Sequence, residues 1–255
     1  MTDADRRRFL ARALAAGAAV ALTGCEKLNN SPGFRALLAR ADGPTESALD
    51  ALTPDDALAE EFTEAQLSPV FKANGSIDPR TPEYLALKAD GFRDYRLKIQ
   101  GRVRQPLSLS LAELRARPSR TQITRHDCVE GWSCIGRWTG VPLGLLLAQA
   151  EPTPQARYVV FRCADSLDND HRRYYESCHL REAHHPQTIL AYYLNGAPLD
   201  IPHGAPLRLR LERKLGYKHA KYLMAVELVD DLAQVGEGQG GYWEDHHGYS
   251  WHAGI

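Results

Sequence analysis

A cationic surplus is what this sequence lacks: 31 Lys and Arg face 32 Asp and Glu over 255 residues, a formal net charge of -1 at pH 7. Proteins that track a phosphate backbone displace its counterions with a clear basic excess, so nucleic acid is excluded as a partner. Glycine and proline, 20 and 15 residues, are too few for a collagenous or low-complexity chain, and 44% hydrophobic residues suffice for an ordinary folded core. No Cys-x-x-Cys-His occurs, which excludes an attached c-type haem. The apolar run at 13–22 falls short of the roughly 20 residues a helix needs to cross a bilayer.

In its setting that run has another meaning. Arg6-Arg7-Arg8-Phe9-Leu10 before it carries the twin-arginine export pattern, and Leu22-Thr23-Gly24-Cys25 after it resembles the lipobox of bacterial lipoproteins. The expectation is a signal peptide over 1–24, a lipid on Cys25 and a periplasmic protein anchored at the membrane. Twin-arginine export carries folded cargo, chiefly where a cofactor is inserted first, so the address argues for a bound cofactor. Residues 25–66, with Asn29-Asn30-Ser31-Pro32 at the front, read as a tether and N-terminal segment, 67–232 as the main folded domain and 233–255 as a C-terminal tail.

Within that domain strands and helices interleave irregularly, which predicts a single α+β fold. Tyr95-Arg96-Leu97-Lys98-Ile99 alternates like a strand, and Ser110 opens a capped helix. Gln122-Ile123-Thr124 reads as a second strand, 141–148 as a helix and 157–162 as a third strand. A further strand at 189–194 ends in the turn signal Asn195-Gly196, and 206–211 alternates Leu with Arg. On this reading Cys128 lies in a strand-to-helix connection.

Chemistry concentrates in Arg125-His126-Asp127-Cys128-Val129-Glu130-Gly131-Trp132-Ser133-Cys134, a connection carrying a thiol, several ionisable groups and a large aromatic. A thiolate suits a soft or high-valent metal, and Arg125 is expected to lower the Cys128 pKa and favour ligation. A Cys128–Cys134 disulfide stays open as the alternative. The stretch Arg-x-x-Cys-Val-Glu-Gly-Trp-Ser, followed by Trp138-x-Gly140-Val141-Pro142-Leu143, resembles the molybdenum-cysteine motif of the sulfite oxidase family. Within that family it is most similar to the branch of periplasmic protein-methionine-sulfoxide reductases. The sulfite oxidases proper carry a Cys-Ala-Gly-Asn-Arg-Arg type of sequence instead.

The resemblance continues through His203-Gly204-Ala205-Pro206-Leu207-Arg208, which is similar to the family's pterin-binding turn, and through 216–221, similar to its phosphate-side segment. It implies that His203 and Arg208 contact the pterin and that His219, Ala220 and Lys221 hold its phosphate end, where buried phosphate needs cationic donors. Asn74, in Phe71-x-x-Asn74, stands where the family has an Asn that reaches the pterin, although Gly75 departs from the His often found next. Cys163 matches in spacing a cofactor-contacting Thr, with a plain core cysteine as the alternative. Tyr174 and Tyr175 occupy the place of the tyrosine that meets substrate beside the metal, and the sequence leaves open which of them points inward.

The resemblance covers roughly residues 70–230 and implies one molybdenum on a single molybdopterin, ligated by Cys128, with oxygen-atom transfer as the reaction. The chain is too short for the family's second, immunoglobulin-like dimerisation domain, so a monomer is expected. Glu130, two residues after the ligand, disfavours an anion such as sulfite and favours a neutral sulfoxide; pairing of Glu130 with Arg125 or Arg137 would weaken that argument. A sulfite or other small-molecule dehydrogenase, and a non-catalytic lipoprotein binding module of the same fold, are the alternatives. Without its own haem or flavin the protein would exchange electrons with a membrane or soluble cytochrome. Gly236-x-Gly238-x-x-Gly241 matches a dinucleotide fingerprint but is not expected to open a helix, which argues against NAD. His184-His185 and His246-His247 have no zinc-ligand spacing.

Overall fold

The computed structural model describes residues 56–167 and 172–255, with Ser31, Gly33 and Pro54 besides. The twin-arginine segment, Cys25 and most of the tether lie outside the described residues. The chain divides into two units, 1–54 and 55–255, and the architecture that follows is that of the second. No described helix is long and apolar enough to cross a membrane.

Among the described residues, ten strands and five α-helices form an α+β body. The first sheet runs β2 (Leu107–Ser110), β1 (Arg96–Gly101), β10 (Leu223–Val229), β5 (Tyr158–Ser166) and β6 (Arg173–His179). β1 and β10 pair in parallel, Lys98 opposite Ala225, and the other pairs are antiparallel. Leu97 and Ile99 of β1 alternate inward, and apolar residues on both faces of β5 and β10 place these strands at the centre of the main core. The second sheet runs β3 (Arg120–Asp127), β4 (Ser133–Pro142), β7 (Ile189–Leu194) and β8 (Ala197–Pro198), with β9 (Arg208–Arg210) also on β7. Its smaller core gathers Phe71, Trp138, Ile189, Ala191, Leu199 and Ala205.

The helices are short. α1 (Pro82–Ala89) starts with proline in its first turn; α2 (Leu111–Arg115) starts at Ser110, whose hydroxyl accepts the Glu113 N–H while the Ser110 N–H donates to the Glu113 carboxylate. α3 (Leu143–Ala150) buries Leu143, Leu146, Leu147 and Ala150 on one stripe, two residues downstream of the expected span. α4 (Leu180–Ala183) follows β6, and α5 (Tyr242–His247) closes the chain.

Two expectations need correction. Cys128 sits in a β-hairpin turn and not in a strand-to-helix connection: β4, unseen in the sequence, returns antiparallel to β3 from Ser133 opposite Asp127 to Gly140 opposite Arg120. Gly136, Gly140 and Pro142 mask β4 because they read as breakers. Close packing requires the glycines, since a Cβ on Gly140 would overlap the Leu190 carbonyl of β7 and one on Gly136 the Phe71 ring. The second concerns Tyr242, which does begin a helix after the glycine-rich stretch. No strand leads into that stretch, so the dinucleotide geometry still fails. Residues 233–255, set apart on sequence as a tail, pack into the body: Tyr242 and Glu244 are buried, and the Trp251 indole donates to Ser177 at 2.8 Å.

Candidate active site

The ends of the two sheets enclose a cavity of about 340 Å³. The hairpin turn brings Cys128, Val129 and Glu130; the preceding loop brings Asn74 and Ser76; β5 ends there in Asp165, β6 supplies Tyr174, and the 216–221 segment supplies His219 and Lys221. Trp243, His247 and Tyr249, none of them expected from sequence as site residues, form the remaining wall.

The Cys128 turn is pinned by its own backbone. Cys128 N–H donates to the Trp132 carbonyl at 2.9 Å, Gly131 N–H donates to the Cys128 carbonyl at 3.0 Å, and Gly131 takes the positive φ of 83° that the turn requires. The thiol is half-buried and free, as are the buried Cys134, Cys163 and Cys178, so the disulfide alternative is not formed. Burial raises the Cys128 pKa, opposed by the Glu130 backbone N–H and by Lys72. Arg125, expected to lower it, is instead paired with Asp127 at 2.9 Å. Glu130 accepts the Trp132 indole N–H at 2.8 Å and meets Lys72 at 3.8 Å; neither Arg125 nor Arg137 is its partner, the latter pairing with Glu64.

Adjacent residues of a strand face opposite ways, which separates the two tyrosines. Tyr174 lines the cavity, its hydroxyl donating to the Tyr217 carbonyl at 2.5 Å. Tyr175 donates to Asp245 away from the cavity and packs against the Arg162 guanidinium.

The remaining residues fall into two groups. Asn74, His219 and Lys221 line the cavity. Lys221 spends its three N–H donors on the carbonyls of Asn74 at 2.5 Å, Ser76 at 2.6 Å and Pro202 at 2.9 Å, tying the 74–76 wall to the 202 turn. Burial and the neighbouring Arg208 push its pKa down to about 7. His203, Arg208, Ala220 and Cys163 stand behind the wall. His203 bridges Asp200 and the Phe71 carbonyl; Arg208, buried and pushed down to about 9 by that burial, donates to the His203 carbonyl and covers the Trp138 ring at 4.9 Å. Ala220 accepts the Leu209 N–H, and Cys163 lies in the main core, where burial raises its thiol.

Buried polar atoms without partners test whether a pterin fits. His219 donates from Nε2 to the Lys214 carbonyl, which leaves Nδ1 as an unpaired acceptor; Asp165 accepts from Ser76 and keeps Oδ1 unpaired. His126 accepts an Arg210 N–H on Nδ1, which leaves Nε2–H as an unpaired donor, and Arg208 Nε is likewise unpaired. Gly216 lies against the His126 ring, where a Cβ would collide. Native interiors rarely leave such atoms unmet; the two on cavity residues, His219 Nδ1 and Asp165 Oδ1, are acceptors, and a donor-bearing heterocycle beside the Cys128 thiol fits them.

Residues 84–235 match the family model described as oxidoreductase molybdopterin binding domain, which defines the class. A protein named as a protein-methionine-sulfoxide reductase subunit, YedZ1, from Azospira oryzae is 36% identical over 98% of this chain and 87% of its own length. The protein-methionine-sulfoxide reductase catalytic subunit MsrP of Xanthomonas axonopodis pv. citri is 34% identical over 91% of this chain and 72% of its own. Among solved structures, the sulfane dehydrogenase SoxCD from Paracoccus pantotrophus is similar with a TM-score of 0.50 at 25% identity, over 55% of this chain and 39% of that one. The chain belongs to the molybdopterin-binding oxidoreductases of the sulfite oxidase family.

Proposed function

We propose that this protein reduces a sulfoxide-type substrate by oxygen-atom transfer at one molybdenum held by a single molybdopterin and by Cys128. The observation that carries the reading is that Cys128 and Tyr174 line one cavity. Molybdenum supplies the two-electron redox chemistry when bound. The protein's own part is positioning: the pinned hairpin fixes the thiol, and the Tyr217 carbonyl holds the Tyr174 side chain in the cavity wall. Trp243, Tyr249, Leu167 and Val129 give the cavity an apolar lining that suits a thioether sulfoxide, and Glu130 stands against an anion. The sulfoxide reductases among the relatives support this direction.

The export pattern and the lipobox support a periplasmic protein anchored through Cys25, within reach of a membrane or soluble cytochrome that would supply electrons. The likeness to SoxCD favours the second reading, oxidation of a small sulfur compound such as sulfite. Steady-state assays decide between them: the reductase reading expects a reduced dye to be consumed with methionine sulfoxide, free or in a protein. Turnover of sulfite with an oxidant, and none of sulfoxide, would reverse it. The cytochrome partnership expects membranes lacking that cytochrome to lose turnover while dye-driven activity persists.

A further inference from the structure

Behind Tyr174 lie three ionisable side chains that the cavity does not expose. Lys218 Nζ stands 2.6 Å from Glu176 Oε2 and 2.6 Å from Glu244 Oε1, all three side chains at most 1% exposed. One ammonium neutralises one carboxylate, and here there are two. They meet over Gly241, where a Cβ would overlap Oε2 of both; Glu176 Oε2 faces the Lys218 ammonium, while Glu244 Oε2 has no hydrogen-bond partner. Two carboxylates beside one ammonium in a dry interior do not both ionise; a single proton held by the pair removes the repulsion.

The contact to Tyr174 points the same way. Its hydroxyl lies 3.3 Å from Glu176 Oε1 but has one hydrogen, already given to the Tyr217 carbonyl at 2.5 Å. The hydrogen for the Glu176 contact is then the carboxyl's own. Burial holds the Glu176 carboxyl well above the usual range, with Lys218 opposing. Cys178 on the same strand, Cys163 on β5 and Tyr217 beside Lys218 are all kept neutral by burial, and Tyr175 is turned to Asp245, so Lys218 and Glu244 are the partners left against Glu176.

We propose that Glu176 and Glu244 share one proton and recharge the Tyr174 hydroxyl during turnover. The proposal rests on the sulfoxide-reductase reading. Removing oxygen from a sulfoxide breaks one S–O bond, takes two electrons from the cytochrome-class donor and two protons, and yields a thioether and water. Tyr174 gives one proton to the departing oxygen and takes its replacement from Glu176; the other comes from solvent, relayed by water in the cavity. The carboxylate pair then regains its proton from solvent. Glu176 acts through Tyr174 and is a positioning residue, while Tyr174 touches substrate.

Infrared difference spectra of the full chain, metal-free and loaded, read the shared proton directly. A protonated-carboxyl band is expected at pH 7 and is expected to vanish in both Glu176→Gln and Glu244→Gln, since either leaves a single carboxylate beside Lys218. In dye-driven assays Glu176→Gln lowers kcat about 100-fold with KM little changed and alters the pH profile, and Tyr174→Phe added to it costs little more. A wild-type protein without the band overturns the proposal, as does a folded Glu176→Gln protein with an unchanged kcat and pH profile. If Glu176→Gln does not fold, Glu244→Gln carries the same two readouts. A band present in an enzyme that turns over no sulfoxide overturns the relay and traces the fault to the substrate reading.

Discussion

At the scale of single residues the chemistry follows from which atoms are already spent. Among the described cysteines only Cys128 is half-exposed, so an alkylating reagent on native metal-free protein should label that thiol first; its raised pKa makes the rate keep climbing past the ordinary thiol range. Peptide mass spectrometry checks this, and labelling of Cys134 in its place would contradict the geometry. Cys128→Ser should retain fold while losing activity and altering the metal's spectrum. His219 makes a pH prediction: burial, reinforced by Arg210, holds its pKa well below 6.5, whereas the unfolded chain takes up that proton near pH 6.5. The folded state therefore keeps its full stability above about pH 6.5 and loses up to ~1.4 kcal/mol per unit as the pH falls below it. Urea titrations at pH 7.5 and 5.5 measure the loss, which should shrink in His219→Gln. The family resemblance marked Cys128, Asn74, His219 and Lys221 as site residues, and all four line the cavity. It left the choice between Tyr174 and Tyr175 open, because strand phase decides it and β6 was not visible.

At the scale of elements, what could be read was what local rules determine. β1, β7 and α2 followed from alternation, from Asn195-Gly196 with both residues at positive φ, and from the Ser110 capping box. β4 was hidden by glycines whose need lies in β7 and in Phe71, far away in sequence, and the role of α5 was hidden because a short aromatic and His-rich helix has no local sign of the cavity it will face. Two substitutions separate local from tertiary effects. Ser110→Ala should cost about 1 kcal/mol in denaturant unfolding and leave kcat unchanged, since the cap lies outside the cavity lining. Gly216→Ala drives a Cβ to 2.6 Å from His126 Nε2 in a wall that cannot recede, so metal content after purification should fall well before the fold is lost.

Over the whole molecule, the buried ion triad joins the final helix to the body. Lys218→Met would leave Glu176 and Glu244 facing each other without a cation, and breaking a buried pair in this way costs roughly 3–5 kcal/mol, measurable as a lowered urea midpoint. A near-neutral result would mean that both carboxyls can be protonated together. β10 bears on a different matter, the order of events in time. It is the middle strand of its sheet, pairing with β1 on one side and β5 on the other, yet it is the last strand to be synthesised. Until residues 223–229 leave the ribosome, β2 with β1 and β5 with β6 are separate hairpins with open edges, and no partial chain can close the main core. The cavity is thus finished only once the chain through Tyr249 has emerged, so whatever inserts the cofactor meets a domain whose last wall arrives late.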